Sequence, residues 1–266
     1  PGLLHLTVST LGLIIVFTLA GGALSALAAS AFLILGETRR NRVLPHLVSF
    51  ATGALLGAAF LGLIPHALES AGAGSEHRVG LALLLGVLTF FLLEKFVLWR
   101  HCHDDPCEVH SPDSAARNAA SGKLILAGDG IHNLLDGVLI AAAFMTSTPL
   151  GVVTAVAVVA HEIPQELGDL AILLHAGYSR GQALWLNLLT SLTSIVGGLL
   201  AYFALGTAMD LLPYAVAFAA ASFIYVAVAD LIPGLHRSVD LKAGIGQVIL
   251  IAMGVVVVFL VRQLAH

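Results

Sequence analysis

The sequence predicts an all-α integral membrane protein with about eight transmembrane helices. Hydrophobic residues make up 58% of its 266 positions and charged residues only 11%, with a mean hydropathy of +0.97. A soluble globule carries about 25% charge to keep its surface wet, so water-soluble enzyme folds are excluded. The apolar residues also collect into runs of about 20 or more, the length that crosses roughly 30 Å of hydrocarbon as a helix. Finally, lysine and arginine concentrate in alternate connections between those runs, as in multi-pass proteins.

Taken in order, the predicted spans are 4–36, 43–71, 79–99, 122–146, 150–176, 181–205, 211–235 and 243–264. The first begins almost at Pro1 and is too long for the apolar stretch of a cleavable signal, so it is expected to be a membrane helix. The second carries Gly53, Gly57 and Gly62, and the sixth Gly197 and Gly198. Small residues let helices approach closely in lipid, which predicts a compact bundle. The remaining spans are set by length and hydropathy alone, and the whole chain, 1–266, is expected to form one transmembrane domain.

Arg39, Arg40 and Arg42 lie between the first two spans, Lys95, Arg100, Arg117 and Lys123 around the third connection, Arg180 after the fifth span, and Arg237 and Lys242 after the seventh. Only Arg78 and Arg262 fall on the other side. This bias predicts that both termini face away from the cytosol. The net charge of −4 and the lack of a basic run exclude a nucleic-acid binder. The one long connection, 101–121, reads HCHDDPCEVHSPDSAARNAAS and is expected to be a flexible cytosolic loop. Its Cys102 and Cys107 suggest metal or redox chemistry rather than a disulfide framework. They do not form a compact CxxC clip, so metal capture by His101, Cys102, His103, Cys107 and His110 stands beside a plain solvated loop.

The fourth and fifth spans break the apolar pattern. The fourth carries Asp129, His132, Asn133 and Asp136 at spacing i, i+3, i+4, i+7, which places them within roughly 100° of one helix face. The fifth carries His161, Glu162, Gln165, Glu166 and Asp169, within roughly 140°. Each carboxylate at the bilayer centre costs about 2.5–3.5 kcal/mol even on the lenient insertion scale, so the five together would cost on the order of 10 kcal/mol if bare. The basic residues nearest them, Lys123 and Arg180, sit only at the helix ends. The compensating charge must come from protons, water or a bound cation. Imidazole with carboxylate and amide oxygen suits divalent first-row ions such as Zn²⁺, Fe²⁺ or Mn²⁺. His132 with Asp136, and His161 with Gln165, are spaced to chelate from one helix face. Pro164 removes a backbone hydrogen bond, freeing a carbonyl near Ala160 and predicting a kink beside the cluster. A single membrane histidine or asparagine is as readily interhelical glue. His66, Glu69, Glu94 and Asp230 are scattered and read as helix-end or packing residues that could also line a route. His5, His46, His77, His175, His236 and His266 lie near span ends and read as interfacial.

These residues resemble the ZIP family of divalent metal transporters. The matching features are HNLLDG on the fourth span, HEIPQELGD on the fifth, the eight spans, and the histidine-containing third connection. LLGAAFLGLIPHALE on the second span and FIYVAVADLIPGL on the seventh are also similar, so the resemblance covers most of the chain. It is strongest to the histidine-rich branch, whose fifth-helix motif reads HExPHELGD. The resemblance implies metal ligands at His132, Asn133, Asp136, His161, Glu162 and Gln165, with helices one to three and six to eight flanking four and five. It also implies metal movement towards the cytosol, often by homodimers, with a sliding elevator-like motion. Gln165 departs from the family pattern, and Asp136 is often glutamate elsewhere. A neutral amide bridges two cations poorly, which puts a second family metal site in doubt.

The sequence therefore predicts transport of zinc, with Fe²⁺, Mn²⁺ or Cd²⁺ as further cargo, by alternating access through the helix-four and helix-five site. No prosthetic group, catalytic residue or enzyme activity is expected, and a cell or inner membrane is favoured over an endomembrane. An intramembrane metalloprotease is the first alternative, but its HExxH motif needs a second histidine where Gln165 stands. A proton-linked channel or metal-sensing scaffold using the same carboxylates is the other.

Overall fold

In the computed structural model, residues 2–32, 37–103, 114–236 and 241–265 are described. Among them, eight helices are long and apolar enough to cross a membrane. They are α1 (2–32), α2 (37–71), α3 (Glu76–His103), α4 (Ser114–Thr146), α5 (Thr148–His175), α6 (180–206), α7 (209–235) and α8 (Leu241–Ala265). The flanks of the third connection are helical: α3 runs to His103 and α4 begins at Ser114. Residues 104–113, with Cys107 and His110, lie outside the described residues, as do the side chains of His101, Cys102 and His103.

The helices sort into two packed groups. In one, α1, α4, α5 and α6 lie together; in the other, α2 carries α8 and α7 carries α3. Each group has a seam where backbones touch. A Cβ added at Gly53 would fall on the Ile251 carbonyl and one at Gly254 on the Phe50 carbonyl, so α2 and α8 approach reciprocally. Gly137 meets the Ser194 carbonyl and Gly197 the Leu134 carbonyl in the same way, joining α4 to α6. Without a hydrophobic drive between helices in lipid, such close packing is what holds them together. Between the groups, α5 lies against α2 and α8, and α7 against α4. Small buried side chains such as Ala54, Ala58, Ala141, Ala217 and Ala220 furnish much of the core there.

Three helices contain a π-helical turn: Ala20–Leu24 in α1, Ala58–Leu63 in α2 and Val226–Leu231 in α7. The last two precede an Ile-Pro pair, Ile64-Pro65 and Ile232-Pro233. A proline has no N–H and its ring crowds the carbonyl four residues back, so the ladder widens there. The carbonyl that Pro65 deprives is that of Leu61, and Arg262 from α8 donates to it. Pro164 has a milder effect than the sequence predicts, since α5 stays α-helical from Thr148 to His175.

Candidate metal site

The polar faces of α4 and α5 meet inside the bundle. His132 Nε2, Asp136 Oδ2, His161 Nε2 and Glu162 Oε1 lie within 4.8 Å of one another. The two imidazole nitrogens are 3.2 Å apart. His132 Nε2 is 3.8 Å from Asp136 and 3.4 Å from Glu162, and His161 Nε2 is 3.2 Å from Asp136 and 3.7 Å from Glu162. Four ligands bonded at about 2.0–2.1 Å in a tetrahedron sit about 3.3–3.4 Å from each other. Five of the six separations fall within about 0.5 Å of that edge length and the sixth, Asp136 to Glu162, is within 4.8 Å, so one small ion fits among the four residues.

Burial and hydrogen bonding orient the donors. His161 Nδ1 lies 3.0 Å from the Ala157 carbonyl; donation of Nδ1–H to that oxygen leaves the Nε2 lone pair facing the cluster. Asp136, His161 and Glu162 are buried, whereas the His132 side chain is 18% exposed, making it the most accessible of the four donors. Asp136 Oδ2, both oxygens of Glu162 and the Asn133 Oδ1 are buried without a hydrogen-bond partner among the described residues. Carboxylate oxygens left so in a membrane interior call for a cation. Asn133 Nδ2 donates to the Asp129 side chain over 2.9 Å and its carbonyl over 3.2 Å, which leaves the Asn133 oxygen free to complete an ion's shell.

A cavity of about 460 Å³ reaches this cluster at His132. Its walls include Leu44 on α2, Glu94 on α3, Ile125 and Asp129 on α4, Gln165 and Asp169 on α5, and Tyr225 and Asp230 on α7. Leu44, Glu94 and Ile125 adjoin Arg42, Lys95 and Lys123, so the cavity runs from the site to the arginine- and lysine-bearing helix ends. Among the described residues, no lysine or arginine lines it. On the far side of the four donors, Leu139 to Ala143 of α4 and Val153 to Val158 of α5 enter the main apolar core, which closes that half.

The expected residues are distributed accordingly. Glu166 stands apart from the donor group: it accepts from Ser191 Oγ over 2.7 Å and from Asn187, tying α5 to α6. Gln165 and Asp169 are in the cavity wall, and so are Glu94 and Asp230, which the sequence left scattered. Tyr225 donates to Glu94 across the α3–α7 contact. His66 and Glu69 lie about five turns or more beyond Val48 along α2 and are not in that wall. His46 pairs with the Arg42 carbonyl over 2.8 Å, and His77 and His236 are exposed; the side chains of His5, His175 and His266 lie outside the described residues. Asn187, Ser191 and Tyr225 escaped the sequence reading. The first two belong to a stripe, Asn187, Thr190, Ser191 and Ser194, with the same i, i+3, i+4, i+7 spacing that marks α4.

The chain matches the family described as ZIP Zinc transporter over residues 4–123 and 100–262. It is 34% identical over 232 residues to the zinc transporter ZIP13 of Pongo abelii, covering 82% of this chain and 66% of that protein. To the zinc transporter SLC39A7 of Mus musculus it is 30% identical over 353 residues, covering 99% and 72%. With ZIP13 of Mus musculus the identity is 33% over 255 residues, covering 82% and 69%. The chain thus spans just under two thirds of the first relative's length and somewhat more of the other two.

Proposed function

We propose that this chain, which belongs to the ZIP zinc transporter family, acts as a metal-cation transporter rather than an enzyme and carries zinc towards the cytosol through His132, Asp136, His161 and Glu162. The observation that carries this reading is the near-tetrahedral spacing of two imidazoles and two carboxylates. It recurs nowhere else among the described residues and has no basic side chain beside it. Asn133 and Gln165 supply further oxygens within reach of the ion's path, and Fe²⁺, Mn²⁺ and Cd²⁺ are the further ions that such nitrogen and oxygen donors accept.

Transport then follows from the chemistry of exchange. A hydrated ion exchanges water for imidazole nitrogen and carboxylate oxygen, and mixed ligands release it more readily than a closed thiolate cage. Helices α4 and α5 open to one side through the cavity and are shut on the other by the apolar core. Alternating access requires that core to part. A slide of α1, α4, α5 and α6 against α2, α3, α7 and α8 along their small-residue contact meets that need, with homodimers as the working unit. The lysine and arginine distribution supports a cavity mouth in the cytosol with both termini opposite.

The test is zinc uptake into proteoliposomes of defined protein orientation, with Fe²⁺, Mn²⁺ and Cd²⁺ as competitors. Saturable uptake that zinc inhibits best, and that is lost in Asp136→Asn, is the expected result. Uptake in Asp136→Asn equal to the parent would remove this site from the pathway.

A further inference from the structure

One buried feature of the cavity is not absorbed by the four-donor site. Asp129 and Asp169 are 4% and 7% exposed, both line the cavity, and their carboxyl groups are near enough to act on each other's charge. Asn133 occupies Asp129 Oδ1. Oδ2 is buried and has no hydrogen-bond partner among the described residues. Two ionised carboxylates are acceptors only, so the space between them is held by something positive. No lysine or arginine in the cavity wall supplies it.

The pair also has a definite place on the route. Helices α4 and α5 are antiparallel, so Asp129 stands three residues before His132 and Asp169 seven residues after Glu162. At 1.5 Å per residue this puts the pair roughly 5–10 Å from the four donors, towards the cavity mouth. The same wall also holds Glu94 and Asp230. A low-dielectric cleft lined by one sign of charge concentrates the opposite ion.

We propose that Asp129 and Asp169 form a second divalent-cation station, made of oxygen ligands only, that receives the ion from His132 on its way along the cavity. The inference rests on the reading of the four-donor cluster as the transport site. Its ligands are harder and fewer than those of the main site, so it binds more weakly and favours ions that accept oxygen ligands, Mn²⁺ as readily as Zn²⁺. A weaker station next to a stronger one lets the ion leave without shedding all its ligands at once.

The experiment counts Mn²⁺ bound to the purified full-length chain in lipid nanodiscs by electron paramagnetic resonance. With the main site disabled by Asp136→Asn and His161→Ala, one more Mn²⁺ per chain is expected than in the same protein carrying Asp129→Asn and Asp169→Asn. Metal held by the third connection is common to both and cancels. In the otherwise intact chain, Asp129→Asn alone should weaken the second Mn²⁺ at least tenfold and leave the nitrogen ligation of the zinc by His132 and His161 unchanged in X-ray absorption; Asp169→Glu should retain the ion. Equal Mn²⁺ counts with and without the pair, in variants that elute as the folded protein, would overturn the station and mean that a shared proton holds the two carboxylates. Loss of nitrogen ligation in the parent with the pair still loaded would instead overturn the reading of the main site.

Discussion

Replacing His161 with alanine removes one corner of the proposed tetrahedron and makes the sharpest single demand on the site. Its Nε2 lies 3.2 Å from both His132 Nε2 and Asp136 Oδ2, so three donors and one open position remain. Loss of a residue that merely orients a ligand costs roughly 10–100-fold in metal affinity. Loss of the ligand itself should cost no less, which is about 1.4–2.7 kcal/mol or more of binding free energy. The ring is fully buried beside Phe223, with ring centroids 6.1 Å apart, so its deletion also leaves a void that lowers stability. A thermal unfolding curve in detergent separates the two effects. The assay is a zinc competition titration on the purified variant, followed by uptake at sub-saturating zinc. The expected result is a Kd raised at least tenfold, with uptake lowered in proportion. A folded variant whose Kd stays within twofold of the parent would refute the ligand role of His161.

Other perturbations probe the frame around the site. Glu166→Ala strands the Asn187 amide in the α5–α6 contact, while Ser191 Oγ keeps the Asn187 carbonyl as its acceptor over 2.7 Å. The abandoned donor costs about 1–3 kcal/mol, so the melting temperature should fall while zinc affinity changes less than in His161→Ala; the reverse order would put Glu166 in the ion's shell. Gly137→Leu or Gly197→Leu forces a side chain onto the α6 or α4 backbone, at about 1–3 kcal/mol or loss of folding. A variant melting at the parental temperature would contradict the close approach of these helices. With Cys102 and Cys107 replaced by serine, a cysteine at Leu44 should react with impermeant maleimide only from the cytosolic side and one at Gly74 only from the opposite side. Labelling of both from one face would invert or void the assigned topology.

Much of this was legible because the bilayer simplifies the code. Eight spans follow from hydropathy and length, and their predicted bounds agree with the helices to within about six residues except around the third connection, with 33–36 of the first span outside the described residues. There, helical ends extend into a polar segment that hydropathy reads as loop. The stripe on α4 was visible because a charged residue in an apolar run has so few structural excuses. Glu94 and Asp230 were not placed, since their spans come together only through the packing of α3 on α7. Glu166 looked like Glu162 in sequence; what separates them is the Asn187–Ser191 partner on α6, which satisfies one carboxylate and leaves the other bare. Pro164 seemed the helix breaker, yet the wide turns fell before Pro65 and Pro233. In one of these, a donor from another helix, Arg262, meets the freed carbonyl.

A zinc-loaded crystal, read by anomalous scattering at the zinc edge, bears most directly on the role assigned to α4 and α5. The account predicts an ion at about 2.0–2.2 Å from His132 Nε2, His161 Nε2 and carboxylate oxygens of Asp136 and Glu162. An ion elsewhere, with these four side chains turned apart, would contradict it.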